Sequence, residues 1–137
     1  MNQAEAIRVL LVEDEAGDAH LVKMKLGQAQ SGHFEIIWVQ SLIEAQRRLA
    51  DSSFDVMLLD LSLPDSDGLA TIHSARVMAM DIPIVVLSGH GDTDFALTAL
   101  EAGALDYMVK GDFGYDGLAR VIRYALLRTE WRRVTTC

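Results

Sequence analysis

Five polar residues carry the chemical signal in this chain: the adjacent pair Glu13 and Asp14, then Asp60, Ser88 and Lys110. Three carboxylates gathered in one place repel one another and raise their pKa values unless a cation intervenes. Carboxylate and carbonyl oxygens with open water positions suit Mg²⁺, which is usually held by one or two carboxylates together with phosphate oxygens. Asp14 and Asp60 are therefore assigned as direct ligands and Glu13 as a ligand through water. A backbone carbonyl just after Asp60, that of Ser62, completes the protein's share. The histidines His20, His33, His73 and His90 are scattered and Cys137 stands alone, so zinc is not expected. An aspartate can also act as a nucleophile, forming an acyl phosphate when a phosphoryl group arrives in line. Such a transfer is catalysed mostly by positioning and charge neutralisation. Here the Lys110 ammonium would neutralise a phosphoryl oxygen that the cation does not cover. The Ser88 hydroxyl would donate to the new group. The structural alternative at this point is a buried Lys–Asp pair with no phosphate, flanked by solvated loop carboxylates and a turn-forming serine.

Chemistry of this kind requires the five residues to meet, and the elements around them say how. Five short apolar runs stand out: Ile7 to Val12, Phe34 to Val39, Asp55 to Asp60, Ile82 to Ser88 and Leu105 to Lys110. They are rich in Val, Ile and Leu and mostly continuous, as strands buried on both faces are. Between them, Ala19, Val22, Leu26 and Ala29 recur at helical steps, as do Leu42, Ala45 and Leu49, and later Leu118, Val121, Ile122 and Ala125. Ser41 with Glu44 three residues on has the spacing of a capping box. Strict alternation of strand and helix predicts an α/β fold, a doubly wound parallel sheet wrapped by five helices. Five strands in this length suit the flavodoxin-like order 2-1-3-4-5, in which ligands bind beyond the carboxyl ends where the order reverses. Glu13, Asp14, Asp60, Ser88 and Lys110 all sit at such ends.

The whole chain bounds the partners. Its 137 residues suit one compact domain, with a core over 7–128 and a helical extension or linker over 129–137. A net charge of −8 argues against nucleic acid and anionic membranes as partners. The charge is uneven: residues 1–109 hold 17 acidic and 6 basic groups, whereas residues 110–137 hold 3 and 6. No apolar run is long enough to span a bilayer, which argues against membrane insertion, and no secretory signal is visible. A single cysteine fits a reducing cytoplasm.

Taken together, Val9 to Glu15 (VLLVEDE), Asp55 to Leu69 (DVMLLDLSLPDSDGL), Pro83 to Asp92 (PIVVLSGHGD) and Glu101 to Lys110 (EAGALDYMVK) resemble the receiver domain of two-component response regulators, of the chemotaxis-regulator type. The resemblance covers roughly Ile7 to Arg128. It implies that Asp60 is the phosphoacceptor, Glu13 and Asp14 the acidic metal pair, Ser88 the switch hydroxyl and Lys110 the phosphate-binding lysine. Mg²⁺ is the implied cofactor. A histidine kinase or phosphotransfer protein is the implied donor, and the domain is a signalling module that catalyses only its own phosphorylation and dephosphorylation. Tyr107 occupies the place of a switch aromatic, turning as Ser88 moves toward the phosphate. The surface of the fourth helix, fifth strand and fifth helix then changes, and partner binding with it.

This chain departs from the family where many members carry a cis-proline after the lysine: here the residue is Gly111. Ser62 and His90, each two residues beyond a site residue, border the water approach and are expected to tune the phosphate's lifetime. Tyr124, Leu127, Trp131 and Val134 recur at helical steps on a face other than that of Leu118 and Ile122. A helix apolar on two faces needs a second partner, either another copy of the chain, an output module or its own domain. Two rival functions stand beside the receiver. A Mg²⁺-dependent phosphohydrolase resembling the haloacid dehalogenases would need an aspartate where Ser62 stands, and a pseudo-receiver would bind partners without phosphate.

Overall fold

The computed structural model describes residues 6–29, 33–89, 93–111 and 116–136, with the side chains of 93–94 and 131–136 left aside. The strands are β1 (Ile7–Val12), β2 (Phe34–Val39), β3 (Val56–Asp60), β4 (Ser62–Leu63), β5 (Ser66–Asp67), β6 (Ile84–Ser88) and β7 (Asp106–Val109). The helices are α1 (Ala16–Gln28), α2 (Leu42–Asp51), α3 (Leu69–Met78), α4 (Thr93–Glu101) and α5 (Gly117–Thr136). Five strands form one parallel sheet in the order β2-β1-β3-β6-β7, which is the 2-1-3-4-5 order once the short pair is set apart.

The continuous apolar runs are explained by burial on two sides. In the central strands alternate residues feed opposite layers. Leu10, Val12, Met57, Leu59, Ile84 and Val86 pack with residues of α2, α3 and α4. Val9, Leu11, Val56, Leu58, Val85 and Leu87 pack with residues of α1 and α5. All five residues of β3 and of β6 are buried.

The helical spacing is borne out at Ala19, Val22, Leu26, Leu42, Ala45, Leu118, Ile122 and Ala125, all buried. Ala29 lies one residue past α1, as its C-cap. Ser41 caps α2 as expected, its Oγ accepting from the Glu44 amide at 3.2 Å. Glu44 Oε2 reaches back one residue further than a standard capping box, accepting from the Gln40 amide at 2.6 Å. The strands predicted to begin at Asp55, Ile82 and Leu105 begin one or two residues later.

One element was not foreseen. After Asp60 the chain makes a small antiparallel hairpin, pairing Ser62 with Asp67 and Leu63 with Ser66. Gly68 closes it by donating its amide to Leu61 O at 2.8 Å, with a φ of 68°. That left-handed backbone is open to glycine and strained for a residue with Cβ. Among the described residues no helix is long and apolar enough to cross a membrane.

Candidate functional site

Parallel strands end on one edge, so the five residues named from the sequence arrive there together. Glu13 follows β1, tied by its amide to Val39 O at 3.0 Å, and its side chain is 1% exposed. Asp14 is the next residue and faces solvent. Asp60 is the last residue of β3 and Ser88 the last of β6, both buried. Lys110 follows β7 and is fixed to its neighbour strand by its amide, which donates to Ser88 O at 2.7 Å.

The Lys110 ammonium joins the strand ends. Its Nζ donates to Asp60 Oδ2 at 3.3 Å and to Asp18 Oδ2 at 2.9 Å, and lies 2.6 Å from Glu13 Oε1. The last contact is a short ion pair between the ammonium and a buried carboxylate oxygen. On the other side Asp60 Oδ1 accepts from the Ser62 amide at 3.3 Å. The acidic side chain is thus held at both oxygens, one by backbone and one by the lysine.

Electrostatics follow from this crowding. Burial pushes the Glu13 carboxyl up to about 7, and the neighbouring Asp60 adds to the rise, while Lys110 and the Glu15 amide oppose it. For Lys110 burial disfavours the charged form, but Glu13, Asp18 and Asp60 outweigh it and hold the ammonium above its ordinary range.

Carboxylate oxygens of Glu13, Asp14 and Asp60 lie within 4.8 Å of one another. Three converging hard oxygen donors, two of them on buried residues, fit a divalent cation such as Mg²⁺. Ser62 stands at the start of the hairpin, beside the site. An open cavity of about 400 Å³ adjoins it, lined among others by Asp60, Ser62, Ser88, Phe95 and Lys110. Tyr107 is half-buried on β7 and packs edge-on against Phe95, with ring centroids 6.0 Å apart. His90 lies outside the described residues. Gly111 has a φ of 87°, and no described peptide bond is cis. The glycine therefore turns the chain by a left-handed conformation closed to proline.

Three contributors escaped the sequence reading. Asp18 sits in the first turn of α1, four residues after Asp14, a spacing that places both near one helix end. Asp65 in the hairpin turn accepts from the amides of Leu42 and Ile43, both at 3.0 Å, and so fastens the loop after Asp60 to the start of α2. Trp38 on β2 donates its indole N–H to Glu13 O at 2.6 Å. Only the Asp18 signal was legible as spacing, and it was indistinguishable from an ordinary helix-start carboxylate.

Comparison with known proteins agrees with this geometry. The sequence profile of the response regulator receiver domain matches residues 9–122. The transcriptional regulatory protein PrrA of Mycobacterium tuberculosis is 35% identical over 129 residues, which cover 94% of this chain and 53% of PrrA. Among solved structures, NtrX of Brucella abortus superposes with a TM-score of 0.81 at 29% identity, covering 96% of this chain and 29% of NtrX. The phosphorylated cyanobacterial phytochrome response regulator RcpA superposes with a TM-score of 0.67 at 25% identity, covering 97% and 98%. The chain spans about half the length of curated relatives such as PrrA. Relatives of this kind are named as transcriptional regulators, so the exclusion of nucleic acid drawn from net charge does not hold: it weighed bulk acidity alone. By profile, relatives and sheet order alike, the chain belongs to the response regulator receiver domains of two-component systems.

Proposed function

We propose that Asp60 accepts a phosphoryl group and that this modification switches the domain's partner binding. The observation that carries the reading is the Lys110 ammonium, 3.3 Å from Asp60 Oδ2 and 2.6 Å from Glu13 Oε1 at a rim shared with Asp14. A carboxylate nucleophile, a fixed cation and an acidic pair at one strand edge are the parts a phosphoryl acceptor needs.

In this reading an Asp60 oxygen forms the new bond to phosphorus as the donor's bond to phosphorus breaks, and the leaving group departs with the donor. Ser62 N–H holds one Asp60 oxygen, orienting the carboxylate. Lys110 neutralises charge on the transferred group, and the Ser88 hydroxyl, at the neighbouring strand end, donates to it. Mg²⁺, when bound by Asp14, Asp60, the Ser62 carbonyl and Glu13 through water, supplies charge neutralisation of the phosphoryl oxygens. Ser62 and His90 set how readily water reaches the acyl phosphate. Ser88 and Tyr107 form the switch, with the Phe95 contact as the packing that would rearrange. The phosphodonor is a histidine kinase or phosphotransfer protein. The domain acts in the cytoplasm, and its C-terminal helix leads to a second copy or an output module.

Intact mass after incubation with Mg²⁺ and acetyl phosphate tests the reading. One added phosphoryl group, absent in Asp60→Asn, is expected. Repeated turnover of the donor without a stable adduct would indicate a phosphohydrolase, and an unmodified chain a pseudo-receiver.

A further inference from the structure

Lys110 has more anionic company than its proposed task requires. Three carboxylates from three elements surround Nζ: Glu13 after β1, Asp60 on β3 and Asp18 in α1. They are not equivalent. Glu13 is 1% exposed and Asp60 10%, so neither can leave the ammonium without stranding a buried charge. The Asp18 side chain is 42% exposed and can rotate into water at little cost. Yet Asp18 makes the shorter of the two aligned hydrogen bonds, 2.9 Å against 3.3 Å for Asp60. The ammonium of the resting site is shared with an anion that takes no part in the proposed transfer.

We propose that Asp18 is a positioning residue, holding Lys110 in the unphosphorylated domain and handing it over when a phosphoryl group appears on Asp60. The inference rests on the phosphoacceptor reading and adds its regulation. A phosphoryl group brings oxygens that compete for the same ammonium, and the contact that yields is the solvent-facing one. Asp18 therefore disfavours the phosphorylated state twice over: the new group must displace it from Lys110, and its charge repels the new oxygens. An anchor on Glu13 keeps Lys110 in place after the exchange, so removing Asp18 should strengthen the site. The handover also releases a carboxylate in the first turn of α1, a surface change on an element other than that of Tyr107 on β7.

The test uses the full chain saturated with Mg²⁺ and titrated calorimetrically with beryllofluoride, an anionic phosphoryl mimic. Asp18→Asn is expected to tighten binding about two- to five-fold, the range set by a partly exposed ion pair. Asp18→Glu, which keeps the charge, should stay closer to the wild type. In a Lys110→Gln background the gain from Asp18→Asn should largely vanish. Unchanged or weaker binding by Asp18→Asn overturns the proposal, as does a gain of equal size without Lys110, which would reveal only bulk charge. The Lys110 ammonium resonance in nitrogen-15 spectra gives a readout independent of the mimic: it should move on Asp18→Asn, and an unmoved signal also overturns the handover. If wild-type protein with Mg²⁺ binds no beryllofluoride while that resonance still responds, the phosphoacceptor reading fails and the Asp18 contact stands.

Discussion

Glu13 has two incompatible neighbours, a hydrophobic interior and an acidic site, and its protonation reports which one prevails. Burial raises its carboxyl from the ordinary 4.5 to about 7. Between those values the native state holds a proton that the unfolded chain has released. Without metal, the stability it contributes is complete below about 4.5 and is lost as pH rises through about 7. A divalent ion competes with that proton. Mg²⁺ should accordingly raise the melting temperature more at pH 8 than at pH 6, and equal shifts at the two values would remove Glu13 from the ion's surroundings. Residue identity alone pointed to Glu13, Asp14, Asp60, Ser88 and Lys110 because each stands at the end of an apolar run. It could not point to Asp18 as a partner of Lys110, since 92 positions separate them and helix-start carboxylates are commonplace.

Among the elements, the hairpin after Asp60 does most to shape the site. It carries Ser62, whose amide holds Asp60 Oδ1, and it is fastened to α2 by both Asp65 oxygens. Asp65→Ala should cost about 1–2 kcal/mol, as loss of a helix N-terminal cap does. It should also weaken Mg²⁺ binding severalfold by loosening the segment that presents Asp60. Ser41→Ala, which removes the helix's own cap, should cost a similar stability with Mg²⁺ affinity kept. Chemical denaturation with calorimetric Mg²⁺ titration of both variants checks this, and equal affinities in the two would reduce Asp65 to a cap. Two-residue strands are too short for any periodicity to show, so this element was invisible in the chain. The five long strands were visible because burial on both faces writes an unbroken apolar run.

Across the molecule, α1 and α5 cover one face of the sheet and α2, α3 and α4 the other. α5 runs unbroken from Gly117 to Thr136, about 30 Å, with Leu118, Ile122 and Ala125 buried against the sheet. Tyr124 and Leu127 on its outer side are 54% and 65% exposed. The side chains of Trp131 and Val134, which continue their spacing, lie outside the described residues. The full chain is expected to sediment as a dimer and a chain cut after Arg128 as a monomer. A monomeric full chain would overturn the dimer.

The linear chain by itself determined the order of elements, the parallel sheet and the edge on which the reactive groups gather. Apolar runs bounded by polar residues leave a β-α alternation few other ways to bury its surface. What only the tertiary structure decided is which charges share which proton or ion. Lys110 meets Glu13, Asp18 and Asp60 across three elements, and Asp65 caps a helix that begins 23 residues before it. Coulomb energies and hydrogen bonds depend on distances of a few ångströms in space, and separation along the chain carries almost no information about those distances.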